Sequence, residues 1–322
     1  MKLLLGAAVA LASTLLVPTS TQADPPAAHR APQTHLTYLA GTTLHTPSGR
    51  VIHIHLPKST GGYAELFGRS ADGGWVVQGG NGTYYDVQKT GSARRFGQGD
   101  WSDLYVTRVL AADGGSMWDS VPDQADDVSI FAAAVDGHRI RGADYYDGEL
   151  EVVLGAEGDH AWLGGKHFYL LGDDGHTTVV DPRGASLVDV AQDLVFLREP
   201  HGLLGPTSLS NPGTLTWTVK GFRPWAVSSN GTYVVGTGAS KTAAVRRMSD
   251  GSLVRTLPVP FLAQQGFQLG WGDASTVLVT VPAAHGDKSG LEACPAVSGA
   301  CTLVGPYTRT GYSIADSRHE LF

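Results

Sequence analysis

The chain is predicted to be all-β, a single β-propeller of four-stranded blades, seven in number with six as the alternative. Three observations predict it. A short motif, an acidic residue and glycine followed by an aromatic and β-branched run, recurs at a period near 40 residues, the spacing of propeller blades. The chain carries 42 glycines while only 16% of its residues are charged, a composition of many turns. No long run at helical spacing interrupts the pattern. The alternative architecture is a β-sandwich of six unrelated hairpins, which regular spacing disfavours.

The first copy of the motif is Ser70-Ala71-Asp72-Gly73-Gly74-Trp75-Val76-Val77. Ala111-Ala112-Asp113-Gly114-Gly115-Ser116-Met117-Trp118 and Ala156-Glu157-Gly158-Asp159-His160-Ala161-Trp162-Leu163 follow. A degraded copy is Val190-Ala191-Gln192-Asp193-Leu194-Val195-Phe196-Leu197. Ser228-Ser229-Asn230-Gly231-Thr232-Tyr233-Val234-Val235 and Trp271-Gly272-Asp273-Ala274-Ser275-Thr276-Val277-Leu278-Val279 complete the set. The turn residues are spaced 41, 44, 35, 38 and 43 apart. Asp-Gly and Asn-Gly supply the positive φ that a tight hairpin needs. The runs after each turn are nearly continuously apolar, as suits a strand covered on both faces by neighbouring blades.

In chain order, residues 1–23 stand outside the fold. Lys2 is a short positive segment, Leu3 to Val17 is apolar and is broken by Pro18, and Thr21-Gln22-Ala23 resembles a cleavage site. This reads as a signal peptide cut before Asp24. An uncleaved anchor is the alternative, disfavoured because the apolar stretch is short for a span. No Cys near the cleavage site suggests a lipoprotein, and no later segment is long and apolar enough to cross a membrane. The protein is therefore expected to be exported, either extracellular or associated with the cell envelope. Loss of Lys2 moves the net charge from −7 to about −8. A mildly acidic exported protein has no general attraction for nucleic acid or anionic lipid.

Residues 24–35, rich in Pro and Ala, are expected to be disordered or extended. The propeller is assigned to 36–322. Leu36-Thr37-Tyr38-Leu39, Thr42-Thr43-Leu44-His45 and Val51-Ile52-His53-Ile54-His55-Leu56 read as strands without the acidic-glycine turn, an incomplete set of blade strands. Six full repeats are expected over about 63–99, 102–142, 148–184, 186–221, 224–258 and 266–305. A propeller closes its ring by pairing N-terminal with C-terminal strands, which removes free edges. The tail from Pro306, with Gly311-Tyr312-Ser313-Ile314, is the expected inner strand of a composite seventh blade. Six blades, with the N-terminal strands added to the last, is the alternative.

The two cysteines, Cys294 and Cys301, flank the turn-forming Pro295-Ala296-Val297-Ser298-Gly299-Ala300. That places them across two hairpin strands, within disulfide reach, in an oxidising compartment. A structural disulfide is preferred over a redox or metal role, since no further Cys or His adjoins them.

The repeat, Ser-x-Asp-Gly-x-aromatic-Val-Val followed by strand, glycine turn and strand, resembles the WD40-like repeats of TolB-type propellers. The hairpin Leu291-Glu292-Ala293-Cys294 to Gly299-Ala300-Cys301 resembles the disulfide hairpin of exported WD40-like proteins of high-GC bacteria. The resemblance covers most of the mature chain and implies a propeller with a tendency towards binding roles. WD40 blades proper carry Gly-His and Trp-Asp pairs at fixed places, and here Trp118-Asp119 occurs once. The family pattern is structural, so no functional residue carries over.

Candidate chemistry is sparse. His53 and His55, at i and i+2 of a strand, share a face and are weak candidates for a metal, with His45 as a possible third ligand. A polar rim strand is the plainer reading. Acidic groups at Asp123/Asp126/Asp127, Asp144/Asp147/Glu149 and Asp173/Asp174 lack the spacing of a calcium loop and read as solvated turns. No Gly-x-Ser-x-Gly occurs, and paired carboxylates for glycoside hydrolysis would have to come from different blades. Ser70-Ala71-Asp72-Gly73-Gly74-Trp75 only grazes the sialidase Asp-box, and Asp72 is expected to cap its own turn. Gly79-Gly80-Asn81-Gly82 and Gly164-Gly165-Lys166 read as strand-connecting turns. Arg94-Arg95 and Arg246-Arg247 are isolated basic pairs. Of the seven Trp, Trp101 and Trp225 are placed in inter-repeat connections and are the first two to examine for exposure. No cofactor and no catalytic residue is assigned, and a monomer is expected. The expected function is a binding module for a protein, peptide or cell-envelope ligand. The alternative is a secreted hydrolase or lyase acting at the channel mouth.

Overall fold

Backbone pairing in the computed structural model builds seven four-stranded antiparallel sheets, each a blade. The structure describes residues 36–61, 64–99, 107–122, 128–136, 139–145, 150–238, 242–260, 267–283 and 287–315. Blades 1 to 6 are single repeats taken in chain order. Their inner strands are Ala64–Arg69, Thr107–Leu110, Leu150–Glu157, Ala185–Asp189, Arg223–Val227 and Leu269–Trp271. Blade 7 is composite, with Tyr312–Ile314 innermost and Tyr38–Ala40, Thr43–His45 and Val51–His53 outside it. Each inner strand touches that of the next blade, and Tyr312–Ile314 touches Ala64–Arg69, so the ring closes. Seven blades are therefore present, not six, and the tail supplies the inner strand expected of it.

The repeated apolar run makes the ring cohere. In the second strand of a blade, successive side chains enter opposite seams. Val76 packs with Phe67, Tyr84 and Met117 between blades 1 and 2, while Val77 packs with Leu39, Leu44 and Leu66 between blades 7 and 1. Met117 and Trp118, Phe196 and Leu197, Val234 and Val235, and Val277 and Leu278 divide in the same way. Period-2 alternation between two buried faces gives a continuous hydrophobic sequence. Each such side chain contributes about 1.5–3 kcal/mol on burial.

The acidic-glycine motif forms the turn between inner and second strands. Gly73, Gly114, Gly158 and Gly231 have φ between 54° and 78°. The degraded fourth copy keeps the same conformation with Asp193, at φ 50°. These turns also join blades. The N–H of Ala71 donates to the Gly114 carbonyl at 3.0 Å, and that of Ala112 to the Ala156 carbonyl at 2.8 Å. Gln192 Nε2 donates to the Ser229 carbonyl at 2.9 Å. This end of the ring is called the turn face. The opposite end, where the chain arrives at each inner strand, is the arrival face.

Two expectations change. Asp72 does not cap its turn. Ser70 Oγ accepts from the Gly74 N–H at 3.0 Å, and Asp72 instead accepts from Arg94 at 3.1 Å. The capping role falls to its relatives: Asp113, Asn230 and Asp273 each accept from the N–H two residues on. Trp225 is not exposed. It lies within an inner strand, 4% exposed, with a register shift between Pro224 and Ala226. An inner strand has one unpaired edge, so a proline is tolerated there, and that proline disguises the strand in sequence.

Candidate functional site

The arrival face carries the side chains in which the blades differ. Between blades 1 and 2, Glu65, Gln78 and Tyr84 lie in register across three strands of blade 1. Arg108 and Asp119 lie in register across two strands of blade 2. The Tyr84 hydroxyl donates to Asp119 Oδ1 at 2.5 Å. All five residues are buried. Burial first, then the charge of Asp119, pushes the Tyr84 phenol well above its ordinary range, with Arg108 opposing. Gln78 Nε2 donates to the Gly82 carbonyl at 3.2 Å. A Cβ on Gly99 would stand 2.6 Å from Tyr84 Oη, so the backbone passes directly over the row. This arrangement is chemically a structural polar bridge: a phenol held neutral supplies a hydrogen bond to a carboxylate and no base or nucleophile.

Blades 3 to 5 present cations. Arg183 chelates Asp181 through Nε and Nη2, at 2.8 and 2.7 Å. It also donates to Glu199 at 2.8 Å and to the Gly213 carbonyl at 2.8 Å. This fork holds the Asp181 carboxyl below its ordinary range, chiefly by hydrogen bonding. Arg223 opens the inner strand of blade 5, and Arg198 lies near the end of the second strand of blade 4. Desolvation, then repulsion from Arg198, lowers the Arg223 guanidinium. Arg198 Nε donates to Ser186 Oγ at 2.8 Å. His201, at φ 66°, sits in the adjoining turn.

Inner-strand polar groups hold the ring. Ser313 Oγ accepts from the Leu66 N–H at 2.7 Å, and Gln268 Oε1 from the Ile314 N–H at 2.7 Å. Ser120, on a second strand, does the same for the Val153 N–H at 3.1 Å. An inner strand has one edge without a ladder partner, and a side chain of the preceding blade satisfies it.

The sequence candidates fall as follows. The strand ends at His53, and His55 lies beyond it, bridged to Ser92. His53 Nδ1 is 3.3 Å from Thr43 Oγ1. His45, on the neighbouring strand, stacks on Tyr38 with ring centroids 4.3 Å apart. Asp174 accepts from the His176 N–H at 2.9 Å in an exposed turn. Gly79 and Gly82 close a turn. Residues 1–35, Trp101, Asp123, Asp126, Asp127, Asp147 and Glu149 lie outside the described residues. No helix among the described residues is long and apolar enough to cross a membrane. The cysteines form a disulfide, Cys294–Cys301. Arg255 of blade 5 docks on that hairpin, donating to the carbonyls of Pro295 at 2.5 Å and Gly299 at 2.7 Å. Sequence reasoning missed the Tyr84–Asp119 bridge, the Arg183 fork and the Arg255 contact. Tyr84 and Asp119 are 35 residues apart and Arg255 and Gly299 are 44 apart; the Arg183 fork starts from Asp181, two residues away, but is completed by Glu199 and Gly213, 16 and 30 residues away.

No family model and no curated protein matches the chain. Solved structures do. The oligogalacturonate lyase of Vibrio parahaemolyticus is 10% identical with a TM-score of 0.55, covering 74% of this chain and 79% of that one. The β-propeller domain of Cps50 (Swd1) from Myceliophteria thermophila is 9% identical, TM-score 0.52, covering 77% and 86%. The AfRom2 CNH domain is 7% identical, TM-score 0.50, covering 71% and 79%. At these identities the likeness speaks for the fold alone.

Proposed function

We propose that this protein is an exported binding module whose arrival face engages a protein, peptide or cell-envelope ligand. The observation that carries the reading is the contrast between the two faces. On the turn face the same motif recurs and its turns are tied blade to blade. On the arrival face the blades differ. There Arg198 of blade 4 and Arg223 of blade 5 lie close enough to repel one another, and paired cations favour an acidic partner. Ser313 and Gln268, on or beside the inner strands, and Ser120 behind them are engaged in capping neighbouring backbone, which suits a scaffold better than a reaction centre.

The test is retention of envelope protein extract and of cell-wall glycan on immobilised protein. The double charge reversal Arg198→Glu with Arg223→Glu should lower retention at least about tenfold, about 1.4 kcal/mol. Asp250→Lys, on the turn face, should leave it unchanged. Equal retention by both variants would overturn the reading. Release of new chain ends from the glycan would favour the hydrolase or lyase instead.

A further inference from the structure

The disulfide hairpin of blade 6 contains a third group with metal-ligating chemistry. Glu292 lies two residues before Cys294 on the strand Ser289–Pro295, so both side chains share a face. The ligand atoms of Glu292, Cys294 and Cys301 all lie within 4.8 Å of one another. Among the described residues this is the group of three or more such side chains that converges. Glu292 is half-buried, and no hydrogen bond or ion pair engages its carboxylate among the described residues. A fourth group completes the surroundings. Arg255 Nη2 stands 3.8 Å from Cys301 Sγ, and the guanidinium donates to the Pro295 and Gly299 carbonyls of the same hairpin.

We propose that reduction of Cys294–Cys301 converts this hairpin into a Zn²⁺ site with Cys294 Sγ, Cys301 Sγ and a Glu292 carboxylate oxygen as ligands. Cys301 is the more exposed sulfur, Cys294 being fully buried, so a dithiol reductant attacks Cys301 and Cys294 departs as thiolate. The second thiol of the reductant resolves the mixed disulfide. The reductant leaves oxidised to its own disulfide, and the protein keeps two thiols. Zn²⁺ then displaces two thiol protons. Tetrahedral zinc with sulfurs at about 2.3 Å separates them by roughly 3.8 Å, a modest parting once the bond is gone. Two thiolates and a carboxylate beside one guanidinium leave two negative charges, which Zn²⁺ neutralises. Water supplies the fourth position, as zinc sites with three protein ligands keep one open.

The experiment is zinc titration of the whole mature protein, reduced by a phosphine and freed of it, against a chromophoric chelator. The reduced protein should bind one Zn²⁺ per chain, and the oxidised protein none at that site. Added zinc should raise the melting temperature of the reduced protein. Glu292→Gln should weaken binding about tenfold or more while leaving the oxidised protein's melting temperature within a degree or so. Cys294→Ser with Cys301→Ser should abolish binding. Cys301→His retains three ligands but cannot form the disulfide, and should bind zinc without any reduction. The proposal fails if the reduced protein unfolds, if it binds no zinc, or if the double serine variant binds equally well.

Discussion

Ser313 accepts a hydrogen bond from the backbone N–H of Leu66 at 2.7 Å, across 247 residues of sequence. Ser313 belongs to the inner strand of the composite blade and Leu66 to that of blade 1. Both are buried. The contact therefore sits where the two ends of the ring meet. Hydrophobic seams on either side, around Leu39 and Leu66 and around Leu278 and Ile314, give the closure its strength. The serine gives it register.

Ser313→Ala should accordingly lower stability by about 1–3 kcal/mol, the range for leaving a buried donor unsatisfied. Chemical denaturation reads this as a shift in midpoint with an unchanged slope. A variant as stable as the parent would show that water or a shifted backbone replaces the hydroxyl.

The turn glycines separate two effects of one substitution. Gly114 has φ 70°, and an added Cβ would stand 2.5 Å from the Arg69 carbonyl oxygen. Gly158 has φ 54°, and nothing lies within 4 Å of its Cβ position. Gly158→Ala should cost about 1–2 kcal/mol, the left-handed backbone penalty alone. Gly114→Ala adds an inter-blade clash and should cost roughly 3 kcal/mol or more. Equal losses would mean that the contact between neighbouring turns yields freely.

The legibility of the fold follows the same division. A repeat that must bury both faces of a strand writes itself as Trp75-Val76-Val77 or Tyr233-Val234-Val235, and the need for positive φ writes Asp-Gly beside it. Those are local demands, so the sequence carries them. Even Asp193 is legible in hindsight, since aspartate is among the few residues that adopt its conformation. The inner strand at Trp225 was hidden because Pro224 breaks the local strand signal while the unpaired edge permits it. The candidate site was hidden for a different reason. Tyr84 meets Asp119, Arg183 meets Glu199 and Arg255 meets the Gly299 carbonyl only after blades stack. Side-chain pairs across a seam obey no spacing rule. Glu292 beside Cys294 was visible as i and i+2, but its chemical meaning depends on Arg255 from another blade.

Reducing Cys294–Cys301 in the absence of metal should lower the melting temperature. Closing a short loop stabilises a fold by roughly 2–3 kcal/mol, which corresponds to a fall of about 3–5 °C for a domain of this size. Differential scanning of oxidised and reduced protein, with chelator present, measures it. An unchanged melting temperature would mean that the Arg255 contacts and the strand ladder alone hold the hairpin.

The Tyr84–Asp119 bridge predicts an alkaline limit to stability. Burial is the largest influence raising the Tyr84 phenol, and the Asp119 carboxylate adds to it. In the unfolded chain a tyrosine releases its proton near pH 10. A group whose folded value lies above its unfolded one contributes stability that is fully present below the unfolded value. That contribution is lost as pH rises beyond about 10, because the unfolded chain then binds fewer protons than the folded one. Parent protein should therefore lose stability from about pH 10 upward. Tyr84→Phe should be less stable at neutral pH by about 1–3 kcal/mol, since Asp119 loses a buried donor. It should also lose less on going from pH 9 to about pH 11, because the linked proton is gone. Denaturation midpoints of both proteins across that interval give the comparison. Parallel loss in parent and variant would show that another tyrosine governs the alkaline limit. Tyr312 is the first alternative: its phenol is pushed up to about 12 by burial, with Tyr38 adding to it, and its hydroxyl donates to the Pro306 carbonyl.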